Sequence, residues 1–358
     1  MMKTKARVVA FYLPQFHPIP ENDKWWGKGF TEWTNVGKAK PLFRGHYQPR
    51  VPADLGYYDL RVPETRKAQA DMAREYGVEG FCYWHYWFGN GKRLIERPFD
   101  EVLNLGEPDF PFCLAWANET WKGFEHGLNN RNILIEQLYP GKEDYTAHFY
   151  EVLPAFKDKR YMTVDGKPIF MIYKPLADPE VLVFMDVWRK LALENGLKGI
   201  WFVGQTVSVE DINSHLKIGL DAVNVIRMTS FLSKLTVLER LINRFKYSFL
   251  KRPRVFEYSK IIKYFSGVED FIENVYPTIF PNWDHSPRSG KEGLVFNNSN
   301  PTLFDKHIKD VITSVAEKTS DNRVVFLKSW NEWAEGNYME PDMKYGLGYL
   351  ETLKENIK

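Results

Sequence analysis

With 358 residues, 44% of them hydrophobic and 26% charged, the chain has the composition of a folded globular protein long enough for one α/β barrel or two ordinary domains. Disorder, collagen-like repeats and coiled coil are excluded as descriptions of the whole, and 48 Lys+Arg against 46 Asp+Glu leave a net charge of +2, which argues for no nucleic-acid partner. The departure from average is aromatic: 16% Phe, Trp and Tyr, with 12 Trp and 19 Tyr, rings whose polar handles suit sugar faces, stacked bases or protein partners.

The first apolar run, 6–14, carries Arg7 and has no small-residue cleavage site, so it reads as a strand rather than a signal peptide. No stretch approaches the length of a membrane span, and a cytoplasmic location is expected. Further along, β-branched and aromatic runs alternate with helical stretches. Eight strands are predicted, at 7–15, 78–87, 111–119, 169–175, 199–206, 222–230, 278–284 and 324–333. That pattern predicts a single (β/α)8 TIM barrel over 1–358. Helix signals lie between the strands: Pro63 opens a run that ends at Tyr76-Gly77, Asp178-Pro179 and Asn195-Gly196 bracket another, and Asn300-Pro301 opens a third. Cys82 and Cys113 fall in adjacent strands and read as small buried hydrophobes.

Two segments depart from an ideal barrel. Residues 16–62, rich in Pro, Gly and Trp, are too long for an ordinary connection and predict an extended loop over the active-site face. Residues 231–275 predict a basic helical insertion. Within 231–265, nine basic residues (Lys234, Arg240, Arg244, Lys246, Lys251, Arg252, Arg254, Lys260 and Lys263) face Glu239 and Glu257, a local +7 that leaves the rest of the chain at −5. Leu235, Leu238, Leu241, Ile242, Phe245 and Phe249 recur at helical spacing beside them. Two readings follow: a barrel helix that buries its apolar face, or a peripheral contact with an anionic membrane, at the inner membrane for a cytoplasmic protein.

In a barrel of this kind the chemistry sits where strands end. The polar and aromatic strand ends here are Tyr12, Gln15 and His17; Tyr83, Trp84, His85, Tyr86 and Trp87; Trp116, Asn118 and Glu119; Tyr173 and Lys174; Gln205; Asn282, Trp283 and Asp284, with Arg288 just beyond; and Ser329 to Gly336. Glu332 and Glu335 are the sharpest signal. Carboxylates three apart share no face of a straight strand, so the chain must turn after Glu332, and Gly336 permits the turn. Paired carboxylates suit glycosidic cleavage, one protonating the leaving oxygen while the other assists from across the ring. Trp330 and Trp333 then offer stacking rings and a dry wall, while Asn331 and Glu119 position the glutamates or the sugar. Tyr12, His17, Trp84, His85, Trp116, Asn118, Tyr173 and Trp283 complete the expected pocket. His17, His85, His126 and His285 lack metal-ligand spacing, and neither G-x-G-x-x-G nor G-x-x-x-x-G-K-[ST] occurs, so no metal and no nucleotide cofactor is expected.

Five blocks together carry a resemblance: Phe11-Tyr12-Leu13-Pro14-Gln15-Phe16-His17, Trp26 to Trp33, Gly80 to Trp87, Ala117-Asn118-Glu119 and Trp330-Asn331-Glu332-Trp333-Ala334-Glu335-Gly336. The chain resembles WbsX-type, glycoside hydrolase family 99-like proteins over essentially its whole length. Family 99 proper, the endo-α-1,2-mannosidases and mannanases, is a retaining (β/α)8 family with an Asn-Glu-Trp-x-Glu-Gly motif. The resemblance implies that Glu332 deprotonates the sugar 2-hydroxyl, whose oxygen attacks C1 to give a 1,2-anhydro intermediate. It implies that Glu335 is the acid that releases the leaving group and then the base that activates water. It also implies an α-manno-configured or deoxy-sugar polymer as substrate, in the setting of O-antigen or capsular polysaccharide genes, with water or another sugar as acceptor. Two rival functions stay open: a glycosyltransferase, which the basic helix favours but which lacks an Asp-x-Asp motif, and a non-catalytic sugar-binding protein.

Overall fold

The computed structural model describes residues 5–123, 132–250 and 252–358, with Lys246 described by its backbone alone; His126 and Lys251 lie outside the described residues. All eight apolar runs form strands: β1 (Arg7–Tyr12), β2 (Gly80–His85), β3 (Phe112–Trp116), β4 (Lys167–Ile172), β5 (Trp201–Thr206), β6 (Ala222–Val225), β7 (Val275–Ile279) and β8 (Val324–Leu327). They pair in parallel in the order β3-β2-β1-β8-β7-β6-β5-β4, and β3 closes on β4 through Leu114↔Phe170, Ala115↔Met171 and Trp116↔Ile172. The sheet is a closed eight-stranded (β/α)8 barrel, as the sequence pattern predicts.

Strand periodicity divides the side chains. Phe11, Trp84 and Phe326 stack inside the barrel, with Phe11 centred 4.8 Å from Trp84 and 5.1 Å from Phe326. A polar ladder completes the interior, Gln205 Nε2 donating to Asn224 Oδ1 (3.0 Å) and Asn224 Nδ2 to Thr278 Oγ1 (2.9 Å). Alternate residues point outward into the helix layer, where Trp188 on the helix Val181–Glu194 is buried against Phe170, Phe184 and Phe202. Cys82 and Cys113, both buried free thiols, face each other across β2 and β3.

Observed strands stop two to five residues before most predicted ends, because the chain leaves the sheet there to build the cavity wall. The predicted seventh strand also starts late: β7 begins at Val275, with Tyr276 and Pro277 already in the ladder. Helix Pro63–Glu75 starts with proline as expected, and Asn300 Oδ1 accepts from Leu303 N (3.0 Å) to cap Pro301–Val315. The helix after β4 departs from expectation. It begins at Val181, and Asp178 instead accepts from Glu180 N (2.8 Å) and from the Tyr145 hydroxyl, so it ties the incoming loop to a neighbouring helix.

Residues 16–62 carry two short helices, Pro20–Trp26 and Glu32–Lys38. The segment buttresses the loop after β8: Trp33 packs 5.6 Å from Trp333, and the Tyr58 hydroxyl donates to Glu340 (2.8 Å). Residues 231–275 form the helix Val237–Ser248, the strand Arg254–Glu257 and several single turns. The strand pairs with Leu294–Asn297 beyond β7, and the buried side chains Phe231, Phe256, Tyr258, Phe265, Phe280 and Phe296 make a second apolar cluster. The helix itself does not bury its apolar stripe. Leu238, Leu241, Phe245 and Phe249 are 54–74% exposed, against the reading of an ordinary barrel helix.

Burial lowers two histidine pKa values to about 3, His85 behind the barrel and His307 on the helix Pro301–Val315. Below the ordinary imidazole value the unfolded chain takes up protons that these native side chains refuse until about 3, so stability declines as pH falls through that window. In a His307→Leu variant the fall in urea-unfolding stability between neutral and mildly acidic pH should be shallower by about one proton's worth of slope. An unchanged slope would show that His307 is charged in the native state.

Candidate active site

The eighth-strand segment is anchored before it turns. Trp330 N donates to Phe11 O (2.7 Å), and the Asn331 side chain both accepts from Leu13 N (2.8 Å) and donates to Leu13 O (3.0 Å), tying the segment to the end of β1. Ser329 Oγ accepts from the backbone nitrogens of Asn331 and Glu332 at 3.1 and 3.0 Å. Asn331–Glu332 then pairs antiparallel with Asn337–Tyr338 around the single turn Trp333–Glu335. Gly336 closes the turn in the left-handed region, φ 55°, ψ 29°, as the expectation of a bend after Glu332 requires. From outside, Asp284 N donates to Glu335 O (2.6 Å) and Arg50 Nη1 to Gly336 O (3.2 Å). Asp284 is held in turn by His46 Nε2, Gln48 Nε2 and Ser286 N at 2.7, 2.7 and 2.9 Å.

This turn sends both glutamates into one cavity of about 400 Å³ at the carboxyl ends of the strands. Glu332 and Glu335 share a hydrogen bond, and Trp84 Nε1 donates to Glu332 Oε1 (3.2 Å). Their environments push the two apart. Burial first, and the charge of Glu335 second, raise the Glu332 pKa well above the carboxylate range. Burial acts in the same sense on Glu335, but Arg288, 2.5 Å away, outweighs it, and Glu332, His285 at 3.6 Å and Lys328 add to the depression. The two shifts oppose each other, so the protonated form is favoured on Glu332 and the ionised form on Glu335.

Arg288 is the pivot of the charge arrangement. It also meets Glu32 at 3.1 Å, and although burial opposes its charge, Glu32, Glu335 and Glu332 hold its pKa above the ordinary guanidinium value. Glu32 is raised by burial despite that ion pair. Across the cavity Glu119 pairs with Lys174 at 2.5 Å, and Lys328 lies 5.6 Å from the Trp283 ring centre. The Tyr86 hydroxyl, its pKa raised well above normal by burial and then by Glu332, stays protonated as a donor in the wall.

Of the residues expected to line the pocket, Trp84, Glu119, Tyr173 and Trp283 do so with the two glutamates. The others lie elsewhere, and strand parity explains most of them. Tyr12 points out of the barrel and donates to Gln69 (2.6 Å). His85 points out against His148 (2.8 Å), and Trp116 packs on Phe184 and donates to Trp87 O (2.8 Å). His17 is buried against Pro14 O (3.1 Å). Asn118 is fully committed: its Nδ2 donates to Lys174 O (2.8 Å) and its Oδ1 accepts from Lys174 N (2.7 Å), so it shapes the loop rather than meeting a ligand. Asn331 is spent on Leu13 in the same way. Trp330 and Trp333 are buried in the core, the first 5.4 Å from Phe81 and the second stacked at 3.8 Å on Tyr338, and neither offers a ring to the cavity. Those rings come from Trp84, Tyr86, Trp121, Tyr173 and Trp283. Gln15, Gln205 and Arg288, expected at strand ends or just beyond, also line the wall, and so does Lys328, which falls outside the expected set. Counting back from Glu332 in steps of two puts Trp330 and Lys328 on one face, yet only Lys328 reaches the wall, because regular strand geometry ends at Leu327.

Among the described residues no group of three or more His, Cys, Asp or Glu is arranged to hold a metal ion, and no helix is long and apolar enough to cross a membrane.

The (β/α)8 fold is shared with solved proteins. The chain aligns with the family 99 endo-α-mannosidase of Bacteroides thetaiotaomicron, solved with bis-tris propane, at a TM-score of 0.57 and 15% identity over 98% of this chain and 96% of that one. A glycoside hydrolase-like protein aligns at a TM-score of 0.58 and 15% identity, covering 99% and 94%. Within that fold the sequence is more specific. The family model described as glycosyltransferase WbsX matches residues 8–353, and the chain belongs to that family. Two proteins from Xanthomonas campestris pv. campestris strains, each named "Uncharacterized protein WxcX", are 37% identical over 356 residues, 98% of this chain. The chain spans about half the length of these curated relatives.

Proposed function

We propose that the protein is a carbohydrate-active enzyme that cleaves a glycosidic bond with retention, using Glu332 and Glu335 as an acid and base pair. The observation that carries the reading is the pair itself: two carboxyls that share a hydrogen bond, with pKa values pushed in opposite directions, at the edge of an aromatic-walled cavity of about 400 Å³, room for one or two sugar rings. In this reading Glu332 takes the proton of the sugar 2-hydroxyl as that oxygen attacks C1. Glu335 gives a proton to the departing oxygen and recovers one from the water that attacks C1 of the 1,2-anhydro sugar, while Glu332 returns its proton to O2 as the C1–O2 bond breaks. The protonated form is favoured on Glu332, so substrate binding must move the proton along the shared hydrogen bond to Glu335 before the glycosidic bond breaks. The 2-hydroxyl must lie trans to the leaving group, which favours α-manno-configured or α-rhamno-configured sugars. A bacterial surface polysaccharide or its precursor is the substrate class proposed, the setting that the resemblance to WbsX-type proteins implies.

The test is a panel of bacterial surface polysaccharides and aryl α-mannosides, examined for released fragments and for anomeric configuration. The family name favours one second reading, transfer of the sugar to another sugar in place of water, with the same first step. Supplying acceptor saccharides separates them: a longer product with no free reducing sugar selects transfer.

Arg288 supplies a further check. Replacing Arg288 by Gln removes the cation that depresses Glu335, so the pair should bind its protons more tightly. Both limbs of the pH profile of kcat/KM are expected to move to higher pH. Limbs that stay in place would mean that the pair does not set the profile.

A further inference from the structure

The helix Val237–Ser248 forms with its own start signal. Thr236 Oγ1 accepts from Glu239 N (3.2 Å), and the Glu239 carboxylate accepts from Thr236 N (2.8 Å), a complete capping box. Among the described residues nothing covers its apolar side. Leu238, Leu241, Phe245 and Phe249 form a continuous exposed stripe, Phe245 and Phe249 stacking on each other at 5.0 Å rather than on the barrel. Such a patch on water is unfavourable for a free surface and marks a contact.

The chemistry around the stripe says what kind of contact. Arg240 and Arg244 line an open apolar cleft beside it with Arg254, and Lys234, Lys260 and Lys263 line a second cavity of about 310 Å³ under the helix start. The surrounding +7 contrasts with the −5 of the remaining chain, so an anionic surface attracts this face and repels the rest. Large exposed aliphatic and phenyl groups edged by cations match a lipid headgroup layer over acyl chains. The placement is also informative. The chain leaves β6 along the cavity wall through Ile226 and Met228, and the Tyr247 hydroxyl donates to Glu292, four residues beyond Arg288. The helix thus sits at the end of the barrel that opens into the cavity.

We propose that the exposed face of Val237–Ser248 docks the protein on an anionic lipid bilayer, with the cavity at the bilayer-facing end of the barrel. The test is flotation of the whole protein with phosphatidylglycerol–phosphatidylcholine vesicles against vesicles of phosphatidylcholine alone. Binding is expected to the anionic vesicles and to weaken as salt rises. Arg240→Ser with Arg244→Ser should lower the partition coefficient about 30-fold, roughly five-fold per charge. Phe245→Ser with Phe249→Ser should abolish flotation while leaving the unfolding midpoint unchanged, because both rings are exposed. Three results would overturn the proposal: no flotation of the wild-type protein, equal flotation with both kinds of vesicle, or a dimer in solution that Phe245→Ser turns into a monomer.

Discussion

Glu335→Gln is expected to lose about 10²–10⁴-fold in turnover on natural glycosides, the usual contribution of a positioned acid–base group. Glutamine keeps the size and the contact with Arg288 but holds no transferable proton. On a substrate with a good leaving group the first step no longer needs the acid, so the loss should shift to the second step, in which water is activated. Azide, a nucleophile that needs no base, should then restore turnover and leave a glycosyl azide of retained configuration. Glu332→Gln behaves differently under the same scheme. With no base for the 2-hydroxyl, its loss should be similar on good and poor leaving groups, and azide should not rescue it. Rescue of Glu332→Gln instead of Glu335→Gln would exchange the two roles, an outcome with its own physical logic because burial favours the protonated form of Glu332. Wild-type turnover in both variants would remove catalysis by the pair altogether.

Gly336→Ala is the second substitution with a large expected effect. At φ 55° a side chain costs about 1–2 kcal/mol from conformation alone. The added methyl would also lie 2.7 Å from Asp284 Cβ, 2.9 Å from Asp284 N and 3.0 Å from Arg50 Cζ, and Asp284 is clamped by three hydrogen bonds, so the turn rather than its surroundings must move. That turn carries Glu332 and Glu335. A displacement near 1 Å is enough to cost about 100-fold in rate. Gly346→Ala is the matched control, since its φ is 52° and nothing lies within 4 Å of the added atom: it should show the conformational loss in urea unfolding and no loss of turnover. Gly336→Asn separates the two costs, because asparagine tolerates the left-handed conformation but carries the same Cβ. Asparagine as harmful as alanine would establish that the clash dominates; full activity in both would show that the site does not depend on this turn.

The barrel was legible before any coordinates because it rests on local pattern. Eight apolar runs of the right length, separated by capped helices, leave few other ways to bury them, and each of the eight is a barrel strand. The bend that joins Glu332 to Glu335 was legible for the same reason: carboxylates three apart and a following glycine state a local geometric requirement. The cavity wall was legible only in part. Polarity at a strand end predicts Tyr12, His85 and Trp116 in the pocket, whereas alternation along a strand sends them to the helix layer and leaves Phe11, Trp84 and Ala115 inside. Parity was available from the sequence once one inward residue was fixed. Asn118 and Asn331 show a different limit, since their amides are consumed by backbone groups 56 and 318 residues away.

The amino-acid sequence by itself determined the element types, their order and the turn that bears the two glutamates, because propensity, capping and glycine conformation act between near neighbours. Which charges meet was decided only in three dimensions. Arg288 reaches Glu335 across 47 residues and its Arg288–Glu32 contact spans 256, and this convergence favours the ionised form of Glu335 while burial favours the protonated form of Glu332. The same holds for the helix Val237–Ser248: its amphipathic stripe is written in the chain, but whether the barrel covers it depends on the space left beside β6 and β7, and the folded molecule leaves it open.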